Sequence, residues 1–141
     1  MAGEIVLGYD GSDGAKAALP RAVELAKVFG VPLVVGFAHG ANPVGGGAGD
    51  LERAAAVVGQ GFLDEAAAAA KQIDPSVEVK CALVNALPFE ALCALAEEEQ
   101  ARMLVVGGNG RGPVIGTLLG STGYKLLNQT LFPVLIVQPP D

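Results

Sequence analysis

Short apolar segments alternate with helical segments along the whole chain, and this alternation constrains the fold more than any other feature. The predicted strand segments are five to nine residues long, which is typical of strands buried on both faces. Between them, apolar residues recur at helical spacing, as at Ala15, Ala18, Leu19 and Ala22. The predicted strands are Glu4–Tyr9, Pro32–Ala38, Ser76–Val84, Met103–Gly107 and Pro133–Val137. The predicted helices are Ser12 (as N-cap) to Phe29, Leu51–Ile73, Phe89–Gln100 and Leu119–Asn128. The pattern predicts an α/β fold in which helices cover both faces of a parallel sheet.

Composition narrows the class of protein. With 141 residues and 51% hydrophobic residues, the chain is expected to form one globular domain over residues 1–141. A net charge of −6, with nine scattered Lys and Arg residues, argues against nucleic-acid binding. We expect a cytoplasmic protein, because there is neither a long apolar run for a membrane span nor a basic leader. Cys81 and Cys93 lack metal-binding spacing and are expected to be reduced thiols.

The segment Val105–Ser121 carries the strongest functional signal. Gly107, Gly110 and Gly120-Ser121 follow the spacing G-x2-G-x9-G-(S/T), between a predicted strand and a predicted helix. Backbone without side chains exposes N–H groups that bind anions, and a following helix adds the positive end of its dipole. The segment matches neither the P-loop pattern nor the dinucleotide pattern GxGxxG. It therefore predicts a phosphate-binding loop of another type, with a structural turn as the alternative.

Two further loops bear on the site. The turn Asp10–Gly14 follows the first predicted strand, and ligands of parallel sheets bind beyond the carboxyl ends of the strands. This turn and the glycine loop face one ligand only if the first and fourth strands are neighbours, which spacing alone does not establish. The segment His39–Asp50 has five glycines in twelve residues and is predicted to be a mobile loop that becomes ordered on ligand binding.

Four segments, IVLGYDGS, VVGGNGRG, LLGST and FPVLIV, resemble the universal stress protein family and specifically its ATP-binding branch. The resemblance spans essentially the whole chain. It implies a single-domain, open, twisted sheet of five parallel strands in the order 3-2-1-4-5, Rossmann-like and of the adenine nucleotide alpha hydrolase type. The first and fourth strands are neighbours in that order. The resemblance also implies a homodimer formed through the last strand, Pro133–Val137. It does not identify a partner protein other than a second copy of this chain.

The resemblance implies roles for individual residues. Asp10 is expected beside the ribose and triphosphate, where it would help to hold Mg²⁺ or Mn²⁺; an Asx-turn or cap is the alternative. The main chain at Phe37 or Ala38 is expected to receive adenine, while the Phe37 ring either borders the base or packs in the core. The residues predicted to bind nucleotide are Gly8, Tyr9, Asp10, Phe37, Ala38, Gly107, Gly108, Asn109, Gly110, Arg111, Gly112, Pro113, Gly120, Ser121 and Thr122.

The functional prediction is an ATP-binding protein that acts as a nucleotide-dependent regulator or sensor in stress physiology. AMP or cyclic AMP is the alternative ligand, because the loop pattern predicts phosphate binding but does not indicate how many phosphates the ligand carries. No Ser-His-Asp set or pair of acidic catalysts can be assembled from the sequence, so at most weak ATP hydrolysis is expected. A slow ATPase and a nucleotide-independent interaction module stay open as alternatives.

Overall fold

The protein is described by a computed structural model covering residues 3–40, 48–108, 125–126 and 128–140. The strands are β1 (Ile5–Gly8), β2 (Leu33–Ala38), β3 (Val79–Val84), β4 (Met103–Gly107) and β5 (Val134–Val137). The helices are α1 (Asp13–Phe29), α2 (Ala48–Ile73) and α3 (Pro88–Glu98). Near the end of the predicted fourth helix, Lys125, Leu126, Asn128 and Gln129 are helical. None of the helices in these ranges combines the length and apolar content needed to cross a bilayer.

The five strands form one parallel sheet in the order β3-β2-β1-β4-β5, which confirms the predicted topology. Strands β1 and β4 are direct neighbours, with Ile5 opposite Met103 and Leu7 opposite Val105. The strand order reverses between them, because β2 lies on the other side of β1. This is the place where a crevice opens in parallel sheets.

Side chains from alternate strand positions fill two cores, one on each face of the sheet. One core packs strand residues such as Leu7 and Val105 against α1 and α2. The other packs residues such as Val6 and Leu104 against α3 and Leu126. The two faces explain why the inner strands are apolar at every position, since both sides of each strand are buried.

Both ends of α1 follow from local chemistry in the sequence. Ser12 is the N-cap, as predicted, and its hydroxyl accepts a hydrogen bond from the Ala15 N–H. Gly30 ends the helix with a left-handed backbone (φ 67°), and its N–H reaches back to the carbonyls of Ala26 and Lys27. Glycine adopts this conformation without the steric cost that a Cβ imposes.

Strand β3 and helix α3 differ from their predicted limits. The strand begins at Val79 rather than Ser76, because the Asp74 carboxylate accepts hydrogen bonds from both the N–H and the hydroxyl of Ser76. These bonds hold the chain in a turn. Helix α3 starts one residue earlier than predicted, at Pro88, and ends at Glu98. Its end precedes Gln100, which has a positive φ of 48°.

The predicted mobile loop His39–Asp50 is wrong at its carboxyl-terminal end. Its last three residues are helical, because α2 begins at Ala48. Its first two residues are held by backbone hydrogen bonds from His39 N–H to the Val84 carbonyl and from Gly40 N–H to the Ala86 carbonyl. The middle of the predicted loop, residues 41–47, lies outside the described residues. Helix α2 then runs unbroken through Gly59 and Gly61, although glycine is a poor helix former.

Candidate functional site

A cavity of about 120 Å³ opens at the carboxyl ends of β1, β2 and β4, where the strand order reverses. The amino-terminal parts of α1 and α3 close its sides. The described residues that line it are Gly8, Tyr9, Asp10, Ser12, Ala15, Gly36, Phe37, Ala38, Val84, Pro88, Ala91, Leu92, Leu95, Val106 and Gly107. Six predicted site residues are thereby brought to one place from three separate strands.

Asp10 is exposed on the turn that joins β1 to α1. Its Oδ1 accepts a hydrogen bond from the Ser12 N–H at 3.0 Å, which forms the Asx-turn considered from the sequence. The bond fixes the carboxylate at the mouth of the cavity, close to the positive amino-terminal end of α1. Asp10 is therefore held in place by its own turn.

Two backbones meet directly where α1 approaches the start of the glycine loop. A Cβ on Gly14 would overlap the carbonyl oxygen of Gly108, and a Cβ on Gly107 would overlap the backbone of Gly14. The Gly108 N–H also donates to the Val137 carbonyl at 2.8 Å, which ties the loop to β5. Glycine at these positions brings the two predicted phosphate-binding segments into contact.

The Phe37 ring packs in the core, which was one of its two predicted roles. Its centroid lies 5.8 Å from that of the Phe62 ring, and a Cβ on Gly59 of α2 would overlap it. Strand alternation places Ala38 on the opposite face, the face that packs against α3. At this strand end the cavity is bordered by both residues.

Helix α3 supplies an apolar wall that the sequence analysis missed. Pro88, Ala91, Leu92 and Leu95 lie at helical spacing and face the cavity. Ala91, Leu92 and Leu95 are also buried, so the same stripe is typical of ordinary core packing. Only two features of the sequence indicate that these residues also line a cavity: the helix follows strand β3, and it begins with a proline. The wall gives the cavity a shape and polarity suited to a flat, largely apolar group.

Tyr9 is the one buried ionisable residue among the described residues of the lining. Its ring lies in the core under α1 and α2, and its hydroxyl donates to Glu65 Oε1 at 3.1 Å. Burial, followed by the nearby Glu65 carboxylate, raises the pKa of Tyr9 to about 12. Tyr9 is therefore an uncharged hydrogen-bond donor at neutral pH, while Asp10 is the only carboxylate among the described lining residues.

The remaining predicted residues are located as follows. Gly108 follows the lining residue Gly107 and packs against Gly14. Eight predicted residues lie outside the described part of the chain: Asn109, Gly110, Arg111, Gly112, Pro113, Gly120, Ser121 and Thr122. In the described ranges, no three His, Cys, Asp or Glu side chains are grouped so that they could hold a metal ion.

Comparison with known proteins shows the family of the chain. The model of the universal stress protein family matches residues 1–138. A universal stress protein of Mycolicibacterium smegmatis is 33% identical over 138 residues, covering 96% of this chain and 45% of the relative. The chain therefore spans about half the length of that relative.

Solved structures share the fold. A universal stress protein from Archaeoglobus fulgidus superposes with a TM-score of 0.80 at 22% identity, covering 97% of this chain and 99% of the other. A universal stress protein in complex with cAMP gives a TM-score of 0.74 at 29% identity, covering 99% and 100%. Structures with dAMP from Archaeoglobus fulgidus and with AMP from Arabidopsis thaliana share the fold at 21% and 14% identity. The family model matches nearly the whole length of the chain, and the strand order of the sheet is the one expected for the family. The chain therefore belongs to the universal stress protein family.

Proposed function

We propose that this protein binds an adenine nucleotide in the cavity at the carboxyl ends of β1, β2 and β4. In this proposal it acts as a nucleotide-dependent regulator or sensor in the cytoplasm during stress. The observation that carries the proposal is the convergence of Asp10, the Phe37–Ala38 main chain and Gly107 on one cavity at the strand-order reversal. The solved relative in complex with cAMP supports adenine as the base.

Each part of the cavity has a role in the proposed binding mode. The apolar wall of α3 takes the base, and the main chain of Phe37–Ala38 supplies polar contacts at its edge. The phosphates extend toward Gly107 and the glycine loop that follows, where backbone N–H groups favour anions. The residues of that loop, from Asn109 to Thr122, complete the site in the proposal.

ATP with Mg²⁺ or Mn²⁺ is the ligand we propose. A carboxylate beside a polyphosphate is unfavourable unless a cation lies between them. Mg²⁺ in nucleotide sites is commonly held by one or two carboxylates together with the phosphates, so a single Asp10 fits this chemistry. Asp10 would hold the ion, and the ion would neutralise phosphate charge. AMP or cyclic AMP is the second candidate ligand, and the relative in complex with cAMP favours it.

Binding without rapid turnover is the activity we propose. Hydrolysis of ATP needs a positioned water and usually a group that stabilises the transferred phosphoryl charge. Among the described lining residues, only Tyr9 and Asp10 are ionisable, and the Tyr9 hydroxyl donates its hydrogen bond to Glu65. We therefore propose at most slow ATP hydrolysis. A phosphate-release assay of the purified protein with ATP measures it.

The binding proposal is tested by calorimetric titration with ATP, AMP and cAMP, each with and without Mg²⁺. Ala38→Phe fills the cavity mouth and should weaken binding by more than about tenfold. Ala68→Phe makes the same change on the exposed side of α2 and should leave binding unchanged. At a concentration of about 100 times its Kd, the ligand should stabilise the protein by roughly 2.7 kcal/mol. A wild-type protein without affinity or stabilisation would favour the nucleotide-independent interaction module.

We also propose that the protein forms a homodimer through the last strand, Pro133–Val137. Strand β5 is an outer strand of the sheet, and its four residues are half-buried. Leu131, just before it, is completely exposed in the single chain. An apolar outer strand readily pairs with a second copy. Leu131→Asp should convert a dimer to a monomer in light scattering with little loss of stability, and a monomeric wild-type protein would contradict the proposal.

A further inference from the structure

One face of α2 supports two of the segments that border the cavity, the end of β2 and the turn after β1. Gly59, Phe62 and Glu65 are spaced three residues apart, so they follow one side of the helix. Gly59 packs against the Phe37 ring, and the Phe62 ring packs against both Phe37 and Gly11. Glu65 accepts the hydrogen bond from Tyr9. None of these three α2 residues lines the cavity itself.

The Tyr9 hydroxyl connects the end of β1 to α2. Tyr9 is 3% exposed and directly precedes Asp10, so its ring position governs where the next residue emerges. Its hydroxyl lies 3.1 Å from Glu65 Oε1, and Lys16 Nζ of α1 lies 4.0 Å from the same oxygen. Glu65 thus joins β1, α1 and α2 directly beneath the Asp10 turn.

The turn above this contact has little freedom to move. Gly11 has a φ of 78°, and the edge of the Phe62 ring occupies the space that a Cβ on Gly11 would fill. The Ser12 N–H is bonded to Asp10 Oδ1. The Asp10 carboxylate is therefore held by the hydrogen bond within its own turn. The turn itself packs on Phe62 and directly follows Tyr9, which is bonded to Glu65.

We propose that Glu65 is a positioning residue for the phosphate side of the site: by holding the Tyr9 hydroxyl, it fixes the Asp10 turn beneath the bound nucleotide. This inference rests on the proposed function. Glu65 touches no ligand in it and acts only through Tyr9. The base side of the site depends on α3 and β2 instead, so loss of Glu65 should affect phosphate recognition and spare the nucleoside.

The test compares Glu65→Ala and Tyr9→Phe with Asp64→Ala. Asp64 is the exposed neighbour of Glu65 and bonds only to Gln60 of its own helix among the described residues, so its variant makes the same change of charge. We expect both test variants to weaken Mg²⁺–ATP binding by about tenfold, the scale of one lost hydrogen bond to a charged group. Adenosine binding should change by less than about twofold in every variant. Glu65→Gln keeps an acceptor oxygen and should restore most of the ATP affinity.

A double variant separates positioning from general weakening. If Glu65 acts only through Tyr9, Tyr9→Phe combined with Glu65→Ala should lose no more affinity than either change alone. Equal losses of ATP and adenosine affinity, or full ATP affinity in Glu65→Ala, would overturn the positioning role.

A readout without nucleotide keeps this inference separate from the proposed function. Hydrogen exchange of the Ser12 amide, which is bonded to Asp10, should be faster in Glu65→Ala and Tyr9→Phe than in the wild type and Asp64→Ala. If the wild type binds no adenine nucleotide, the proposed function fails, and this exchange rate still decides whether Glu65 holds the turn. Unchanged exchange in both test variants would overturn the inference while leaving nucleotide binding intact.

Discussion

The two ends of the sheet are built from different chemistry. At the amino ends of the strands, charged side chains join separate elements. Lys80 Nζ of β3 lies 2.8 Å from Glu4 Oε1, just before β1, and Lys27 Nζ of α1 lies 2.6 Å from Asp74 Oδ2. The Arg102 guanidinium stacks 4.5 Å above the centroid of the Phe29 ring, at the end of α1. At this end the elements are joined by charged side chains and by the stacking of Arg102 on Phe29.

At the carboxyl ends, the backbone of α1 directly contacts the backbone at the end of β4, and the strands stop around an open cavity. Gly14 meets Gly107 and Gly108 without intervening side chains, and Gly8 and Gly36 border the cavity. Charged side chains therefore join the elements at the amino end, whereas close backbone packing at the carboxyl end leaves the strand ends accessible to a ligand. Substitutions at the amino end should alter stability alone, whereas those at the carboxyl end should alter nucleotide affinity.

The largest effect is expected from Gly14→Ala. The added Cβ would overlap the Gly108 carbonyl and force α1 away from the glycine loop. We expect a loss of about 2 kcal/mol in the free energy of unfolding, as for an overpacked core position, together with weaker ATP binding. Urea unfolding and calorimetry measure the two effects.

The matched control is Gly61→Ala on α2, where an added Cβ meets nothing within 4 Å. Because alanine is the better helix former, this variant should gain up to about 1 kcal/mol of stability. Equal stabilities of the Gly14 and Gly61 variants would contradict the close backbone contact between Gly14 and Gly108.

Asp10→Asn is expected to have the next largest effect, on affinity rather than stability. The amide keeps an oxygen that can accept the Ser12 hydrogen bond but removes the charge proposed to hold Mg²⁺. We expect Mg²⁺–ATP affinity to fall about tenfold, and affinity without Mg²⁺ to be unchanged or higher, as phosphate repulsion is relieved. Calorimetric titrations at fixed ionic strength check this. Identical dependence on Mg²⁺ in both proteins would remove Asp10 from metal binding.

Lys80→Ala tests the amino end. It leaves the Glu4 carboxylate, whose side chain is 14% exposed, without its ammonium partner. We expect a small loss in the free energy of unfolding, as for a partly exposed ion pair, with unchanged ATP affinity. A change in affinity without a change in stability would show that the two ends are not separate as described.

The smallest effects are expected in the pH dependence of stability, where the two ends respond at opposite extremes. Hydrogen bonds from Lys27 and then from Ser76 lower the pKa of Asp74 from 3.8 to about 2. Its contribution is present above pH 3.8 and is lost as the pH falls toward 2. Burial and Glu65 raise the pKa of Tyr9 from 10.0 to about 12. Its contribution is present below pH 10 and is lost as the pH rises toward 12.

Asp74→Asn should therefore flatten the acid side of the stability curve, and Tyr9→Phe should flatten the alkaline side. Urea unfolding at a series of pH values measures both. A curve for Asp74→Asn that runs parallel to the wild type between pH 4 and pH 2 would contradict the role of Lys27 at the amino end.

Much of the fold could be predicted because it depends on local pattern. Buried strands leave short apolar runs, and the caps at Ser12 and Gly30 depend on residues within a few positions of them. The start of β3 could not be predicted, since the bonds of Asp74 to Ser76 compete with strand formation in a segment that looks extended. The resemblance to the family, rather than spacing, gave the adjacency of β1 and β4.

The site could be predicted only at positions where binding requires a residue type that is unusual for its place in the sequence. Asp10 and Gly107 stand out after apolar strands. The α3 wall does not, because a stripe that faces a cavity and a stripe that faces a core have the same sequence pattern. The Tyr9–Glu65 contact joins residues 56 positions apart, and a single sequence carries no signal for it.

Backbone amide chemical shifts during a titration with ATP and Mg²⁺ show which end of the sheet binds the nucleotide, because every non-proline residue at both ends is observed in the same experiment. We expect the largest shifts at Gly8–Ser12, Phe37–Ala38 and Gly107–Gly108, and none at Lys27, Asp74 or Lys80. Shifts confined to the amino ends, or no saturable shifts at all, would contradict nucleotide binding at the carboxyl ends.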